Sequence, residues 1–252
     1  MLFFKRILKE PARETVRKER RGARRLALNP EFPLKAVLSF DRRGGTVAPM
    51  SLAGGTDWPG RLLDCSEVGA RIRLGPGALA CRGDICELRL SLDGFKLTVP
   101  CRVTNLRVES DGIHFGLQHE LANEAVRTAY RQLLEVVALG ATLKLSSRKT
   151  RRDDSGYLME EYLAGDGVSR LTVWREPADR KVSAFAFRLK ECQVRAARGR
   201  PAEYLSGANA ATARPATPAQ AGEIQRLFAW VASNLAAAVP EDARDFLRQH
   251  AG

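Results

Sequence analysis

Apolar and polar positions along this chain change their period more than once, and each change marks a different kind of element. Over the first nineteen residues Phe3, Phe4, Ile7 and Leu8 fall on one face with charges elsewhere, which predicts an amphipathic helical arm. From residue 34 the spacing turns from helical to alternating. Strands are predicted over 34–40, 61–63, 70–74, 85–92, 95–107 and 113–118. The alternation is cleanest in 85–92, where Cys86, Leu88, Leu90 and Leu92 face one way and Glu87, Arg89 and Ser91 the other. Asp93-Gly94 then predicts a tight hairpin, because both residues tolerate the positive φ of a type I′ turn. The return strand places Phe95, Leu97, Val99, Cys101 and Val103 on one face, and Pro100 on the other predicts an edge or a bulge. A second Asp-Gly, Asp111-Gly112, leads into the last of these strands. Residues 42–60, with five glycines and two prolines, read as a loop. Six short strands with tight turns predict a small antiparallel barrel or sandwich.

A helix is expected over 123–137, where Val126, Tyr130, Leu133, Leu134 and Val137 recur at helical spacing. The polar run 146–156 reads as a linker or exposed loop. Beyond it, 169–175 and 181–189 predict another hairpin, with Phe185, Phe187 and Leu189 on one face. Trp174, Phe185, Phe187 and Trp230 are assigned to a core. Thr217-Pro218-Ala219-Gln220 has the form of a capping box with proline at the first helical position. The helix it opens carries a stripe of Ile224, Leu227, Phe228, Val231 and Leu235, and Pro240-Glu241-Asp242 starts a last short helix. Residues 208–219 read as loose. The expected organisation is therefore mainly β: an arm over 1–19, a barrel domain with a following helix over 20–139, a linker over 140–156, and a small C-terminal α+β domain over 157–252.

Charge sharpens this picture. Residues 1–25 hold ten Lys/Arg against three Glu, a net +7 of the chain's +12. A basic arm of this kind implies an anionic partner: a nucleotide, a nucleic acid or an acidic membrane surface. No apolar run is long enough to span a bilayer, and charge from Lys5 onwards ends the opening apolar run too early for a signal peptide. The five cysteines (Cys65, Cys81, Cys86, Cys101, Cys192) include no C-x-x-C pair and read as small buried hydrophobes in a reducing compartment. The expected location is the cytoplasm.

Two segments carry candidate chemistry. One is Glu19-Arg20-Arg21-Gly22-Ala23-Arg24-Arg25, upstream of the first strand; the other is Asp64-Cys65-Ser66-Glu67-Val68-Gly69, between the second and third. Together they resemble the PilZ domain, whose hallmark is R-x-x-x-R before a β-barrel and D/N-x-S-x-x-G early in it. The resemblance covers about 19–137 and includes Ile113-His114-Phe115-Gly116-Leu117, similar to the family's last strand. It implies a six-stranded antiparallel barrel followed by a helix, acting as a receptor for cyclic di-GMP and not as an enzyme. By the same resemblance the ligand site comprises Arg21 and Arg25 as the principal pair, Arg20 immediately before the motif, and Asp64, Ser66 and Gly69. Arg20/Arg24 satisfies the arginine spacing equally. The nine residues 26–34 and the long loop 42–60 depart from so compact a fold.

The residue types suit that ligand. Arginine presents a planar fork of donors that matches phosphate oxygens or the O6/N7 edge of guanine, and its flat face can stack on a base. A carboxylate accepts from guanine N1–H and the exocyclic amine, a hydroxyl adds a donor or acceptor, and glycine permits close approach to the backbone. A plainer reading stands beside this one. Asp64 and Ser66 close a β-turn through side-chain hydrogen bonds, Gly69 supplies its positive φ, and the domain is a ligand-free adaptor in motility, secretion or polysaccharide synthesis. A protein partner from such a system is expected on either reading.

Other features add less. Arg71 and Arg73 alternate with Ile72 and Leu74 and so point out of the barrel, with solvation preferred to a place beside the ligand. His114 and His119 have no carboxylate or cysteine at ligand spacing, so no metal is expected. No Ser/His/Asp grouping, Walker loop or paired carboxylate pattern appears, so no catalytic residue is assigned and no cofactor is expected. Aromatic residues are sparse near the arm, which argues against a specific nucleic-acid partner.

Overall fold

The computed structural model describes residues 24–40, 57–78, 80–150, 156–207 and 212–252. The arm predicted over 1–19 lies outside them, as do Arg20 and Arg21. The chain divides into two compact units that part between Leu134 and Glu135.

The first unit is a closed six-stranded antiparallel barrel with a following helix. After a short β1 (Leu26–Ala27), its staves are β2 (Lys35–Phe40), β3 (Asp57–Ser66), β4 (Gly69–Leu74), β5 (Ile85–Leu92), β6 (Phe95–Glu109) and β7 (Gly112–His119). Their order is β3-β2-β5-β6-β7-β4, and β4 returns to pair with β3, which removes the open edges. All six predicted strands are present. Alternation explains the interior: Leu88, Leu90, Leu92, Val99, Cys101, Ile72 and Phe115 are almost fully buried and fill it from facing staves. Asp93 (φ 42°) and Gly94 (φ 82°) make the β5–β6 turn as expected, and only residues that accept a left-handed backbone fit both positions. The β6–β7 turn falls one residue earlier than Asp111-Gly112, since Gly112 already pairs with Glu109. Pro100 sits where β7 ends. Its carbonyl accepts from Glu120 N at 2.8 Å, so its missing donor lies beyond the β7 ladder, at a local edge.

Two boundaries differ from the sequence reading. Strand β3 begins at Asp57, inside the segment read as loop, because Pro59 and Gly60 pair with Val37 and Ala36 despite their composition. Strand β1, too short to show any period, pairs Leu26 with Cys65 and Ala27 with Asp64. Cys81 is exposed, unlike the other four cysteines, because it lies in a turn outside the ladders. The helix α1 spans Glu124–Ala141. Asn123 caps it, its Oδ1 accepting from the backbone N–H of Ala125 (2.8 Å) and Val126 (3.3 Å).

The second unit is a seven-stranded antiparallel meander in simple sequence order. Its strands are β8 (Lys144–Thr150), β9 (Leu158–Leu163), β10 (Arg170–Arg175), β11 (Val182–Leu189), β12 (Cys192–Ala197), β13 (Glu203–Ser206) and β14 (Arg214–Pro215). Helices α2 (Pro218–Ser233) and α3 (Glu241–Gln249) follow. The predicted capping box forms, with Thr217 N donating to Gln220 Oε1 (3.0 Å) and Gln220 N to Thr217 Oγ1 (3.4 Å). Phe185, Phe187, Phe228 and Trp230 are buried, and Phe185 stacks on Phe228 with ring centroids 5.5 Å apart. Trp174 is only half-buried. The run read as a linker supplies β8 in its first part, which its polar composition concealed. Among the described residues, no helix is long and apolar enough to cross a membrane.

Candidate anion-binding site

The site is built around Asp64, and a β-bulge aims it. In β3 the pairing with β4 runs Leu62↔Ile72 and then Asp64↔Arg71, leaving Leu63 as an extra residue. Unbroken alternation would turn Asp64 to the interior with Leu62. The extra residue turns it outward, opposite Arg71, while Leu62, Ile72, Cys65 and Ala70 keep the interior. Strand β1, on the other edge of β3, delivers Arg25 to the same place.

Two guanidinium groups therefore hold one carboxylate. Arg25 Nη1 donates to Asp64 Oδ1 at 2.6 Å, and Arg71 Nε lies 2.8 Å from Asp64 Oδ2. The Asp64 side chain is only 11% exposed, whereas those of Arg25 and Arg71 are 52% and 51% exposed. The acid is thus covered and the cations keep half their surface open. Two positive charges over one negative leave a net local charge of +1, with spare N–H groups suited to phosphate or a guanine edge.

The rest of the motif is committed to holding the turn. Ser66, buried, donates its hydroxyl to Gly69 O at 3.1 Å. Gly69 has no positive φ, contrary to the turn reading; instead a Cβ there would lie 2.3 Å from Leu117 O, so glycine lets β4 press against β7. Tyr130 of α1 donates its hydroxyl to Ser66 O at 3.1 Å, and His119 N donates to Val68 O at 3.0 Å. The His119 ring meets Tyr130 edge-on, with centroids 4.6 Å apart. Burial, with the Arg25 cation adding to it, pushes the His119 imidazole down to about 4. Burial likewise pushes the Cys65 thiol up to about 12, so it is no nucleophile.

The structure brings Arg25, Asp64, Ser66 and Gly69 together; Arg20 and Arg21 lie outside the described residues. It adds Arg71, which the sequence reading assigned preferentially to solvent. Its signal was its place on the outward face of the strand after the motif, but the pairing with Asp64 depends on the bulge. His114 also differs from expectation, since it does have carboxylate neighbours: Nε2 is 3.0 Å from Asp111 Oδ1 and Nδ1 is 3.6 Å from Glu109 Oε1. The two acids flank opposite ring nitrogens instead of converging on one, and Arg73 Nη1 holds the other oxygen of Asp111 at 2.7 Å. That is a hydrogen-bonded surface cluster.

Residues 17–135 match the family model of the PilZ domain. This segment is a PilZ domain. The PilZ family binds cyclic di-GMP, and its members are receptors and adaptors, not typically enzymes. No curated protein matches the chain. Solved structures similar to it include the PilZ domain of CeSA from a cellulose-synthesizing bacterium, at 17% identity and TM-score 0.32, covering 44% of this chain and 94% of that one. Another is the PilZ domain of YcgR from Escherichia coli with c-di-GMP, at 12% identity and TM-score 0.34, covering 46% and 88%. In this PilZ domain Arg25, four residues after Arg21, is in direct contact with Asp64, the first residue of D-x-S-x-x-G.

Proposed function

We propose that this PilZ domain is a receptor for cyclic di-GMP that converts ligand binding into a change of conformation or partner. The observation that carries the reading is the 2.6 Å contact between Arg25 and Asp64, which joins the two motif halves at one surface. Arg25 and Arg71 take the phosphates or the guanine O6/N7 edge through their open N–H groups, and Asp64 accepts from guanine N1–H and the exocyclic amine. Arg20 and Arg21, three to five residues upstream of Arg24 and Arg25, are further guanidinium donors for the ligand's phosphates. Ser66 and Gly69 act by shaping the turn that presents Asp64. Binding changes how the domain meets its partner, and a protein of a motility, secretion or polysaccharide system reads that change in the cytoplasm.

Calorimetric titration of the full chain with cyclic di-GMP tests the reading. Saturable heat at micromolar protein is expected, lost in Arg21→Ala/Arg25→Ala. Absence of heat, or unchanged binding in that variant, leaves the domain as a ligand-free adaptor.

A further inference from the structure

We propose that the barrel carries a second ligand cavity, separate from Asp64, that takes a small molecule joining an apolar body to one anionic group. The cavity arises where the chain between β1 and β2 leaves the sheet. Leu28 N still donates to Leu63 O at 2.9 Å, and pairing with β3 resumes only at Ala36↔Gly60. The intervening segment contains Pro30 and Pro33, which lack the N–H needed for a ladder, so it bows away opposite Arg61 and Leu62.

The resulting space is about 380 Å³, within the range of roughly 300–1,000 Å³ usual for small-molecule sites. Leu28, Phe32, Leu34 and Pro59 supply an apolar wall, and Arg61 and Lys35 supply positive charge. No lining residue is acidic. Arg61 lines this space, is part-exposed, and has no side-chain hydrogen bond or ion pair among the described residues. Its guanidinium fork therefore has donors available to an anionic group held against the apolar wall. Leu28 and Phe32, both buried, form the floor of the cavity, while Lys35 and Pro59 at its rim are exposed. Asp64 has its own two arginines, whereas Arg61 has no counterion among the described residues, which separates the two sites chemically.

The probe is 8-anilinonaphthalene-1-sulfonate, an aromatic body with one sulfonate, titrated into the full chain by fluorescence and by amide chemical-shift mapping. Saturable binding is expected, with shifts clustered over 28–37 and 60–62. Arg61→Gln should weaken it by about tenfold or more, and Arg61→Lys by less. The calorimetric response of Arg61→Gln to cyclic di-GMP should match that of the parent, so failure of this proposal is distinct from failure of the receptor reading. Absence of saturable dye binding, equal affinity in Arg61→Gln, or shifts confined to other surfaces overturns the proposal.

Discussion

Asp64 and Arg71 stand directly opposite each other across β3 and β4, with Arg71 Nε 2.8 Å from Asp64 Oδ2. The relationship depends on Leu63, the one residue of β3 without a partner in β4 at that point. A bulge of this kind re-aims a single side chain without disturbing the packing on either side. It also makes Arg71 a third guanidinium to consider beside the motif arginines.

Arg71→Ala should weaken cyclic di-GMP binding by about tenfold, as expected for one charge-assisted contact. The dependence of affinity on salt should become shallower, because one fewer cation faces the phosphates. Calorimetry at two ionic strengths measures both effects. An affinity and salt slope equal to those of the parent would remove Arg71 from the site.

Ser66→Ala tests whether the serine works within the turn. Loss of its hydrogen bond to Gly69 O should lower stability by about 1 kcal/mol in denaturant unfolding. Affinity measured where the variant is fully folded should stay within about threefold of the parent, since a buried hydroxyl already engaged in the turn has little left for the ligand. A large affinity loss without a stability loss would instead make Ser66 a direct contact.

Gly69→Ala should be more damaging than its size suggests. The new methyl group would lie 2.3 Å from a backbone carbonyl, that of Leu117, and backbone in a closed barrel cannot rotate aside. A cost of at least about 2 kcal/mol is expected from the forced separation of β4 and β7. The melting temperature and the amide spectrum around Leu117 and Gln118 report it.

His119 makes the barrel acid-sensitive. Its imidazole is pushed down to about 4 in the folded domain, against about 6.5 in an unfolded chain, so between these values the unfolded state binds more protons. Stability is therefore fully present above about pH 6.5 and falls as pH drops towards 4, by about 3 kcal/mol from this group. His119→Gln should flatten that part of the curve of melting temperature against pH. A parallel curve for the variant would assign the acid response to other groups.

In the second unit, Glu160 and Arg175 form a buried pair, with Arg175 Nε 2.9 Å from Glu160 Oε2 and both side chains less than a tenth exposed. Arg148 and the hydroxyl of Tyr162 also engage Glu160. Glu160→Ala strands a buried guanidinium and should cost about 3 kcal/mol, the lower end for a broken buried pair, because Asp242 and the carbonyl of Arg180 remain. Asp242→Ala, at an acid 54% exposed, should cost about 1 kcal/mol or less. Thermal unfolding of the two variants provides the comparison.

What the sequence determined by itself was local. Alternation at Cys86, Leu88, Leu90 and Leu92, the Asp93-Gly94 turn and the Thr217–Gln220 capping box are each decided by neighbours a few residues away, and each appears where it was expected. Tertiary pairing decided the rest. The two-residue β1 carries no period, yet it brings Arg25 to Asp64. The bulge at Leu63 exists only relative to β4, and it selects Arg71 as the partner. Strand β8 is polar because it lies at the edge of its sheet, where water satisfies one side, so its composition resembled a linker. Register is a relation between segments far apart in the chain, and hydrophobic period specifies which face a residue takes but not which residue it will meet.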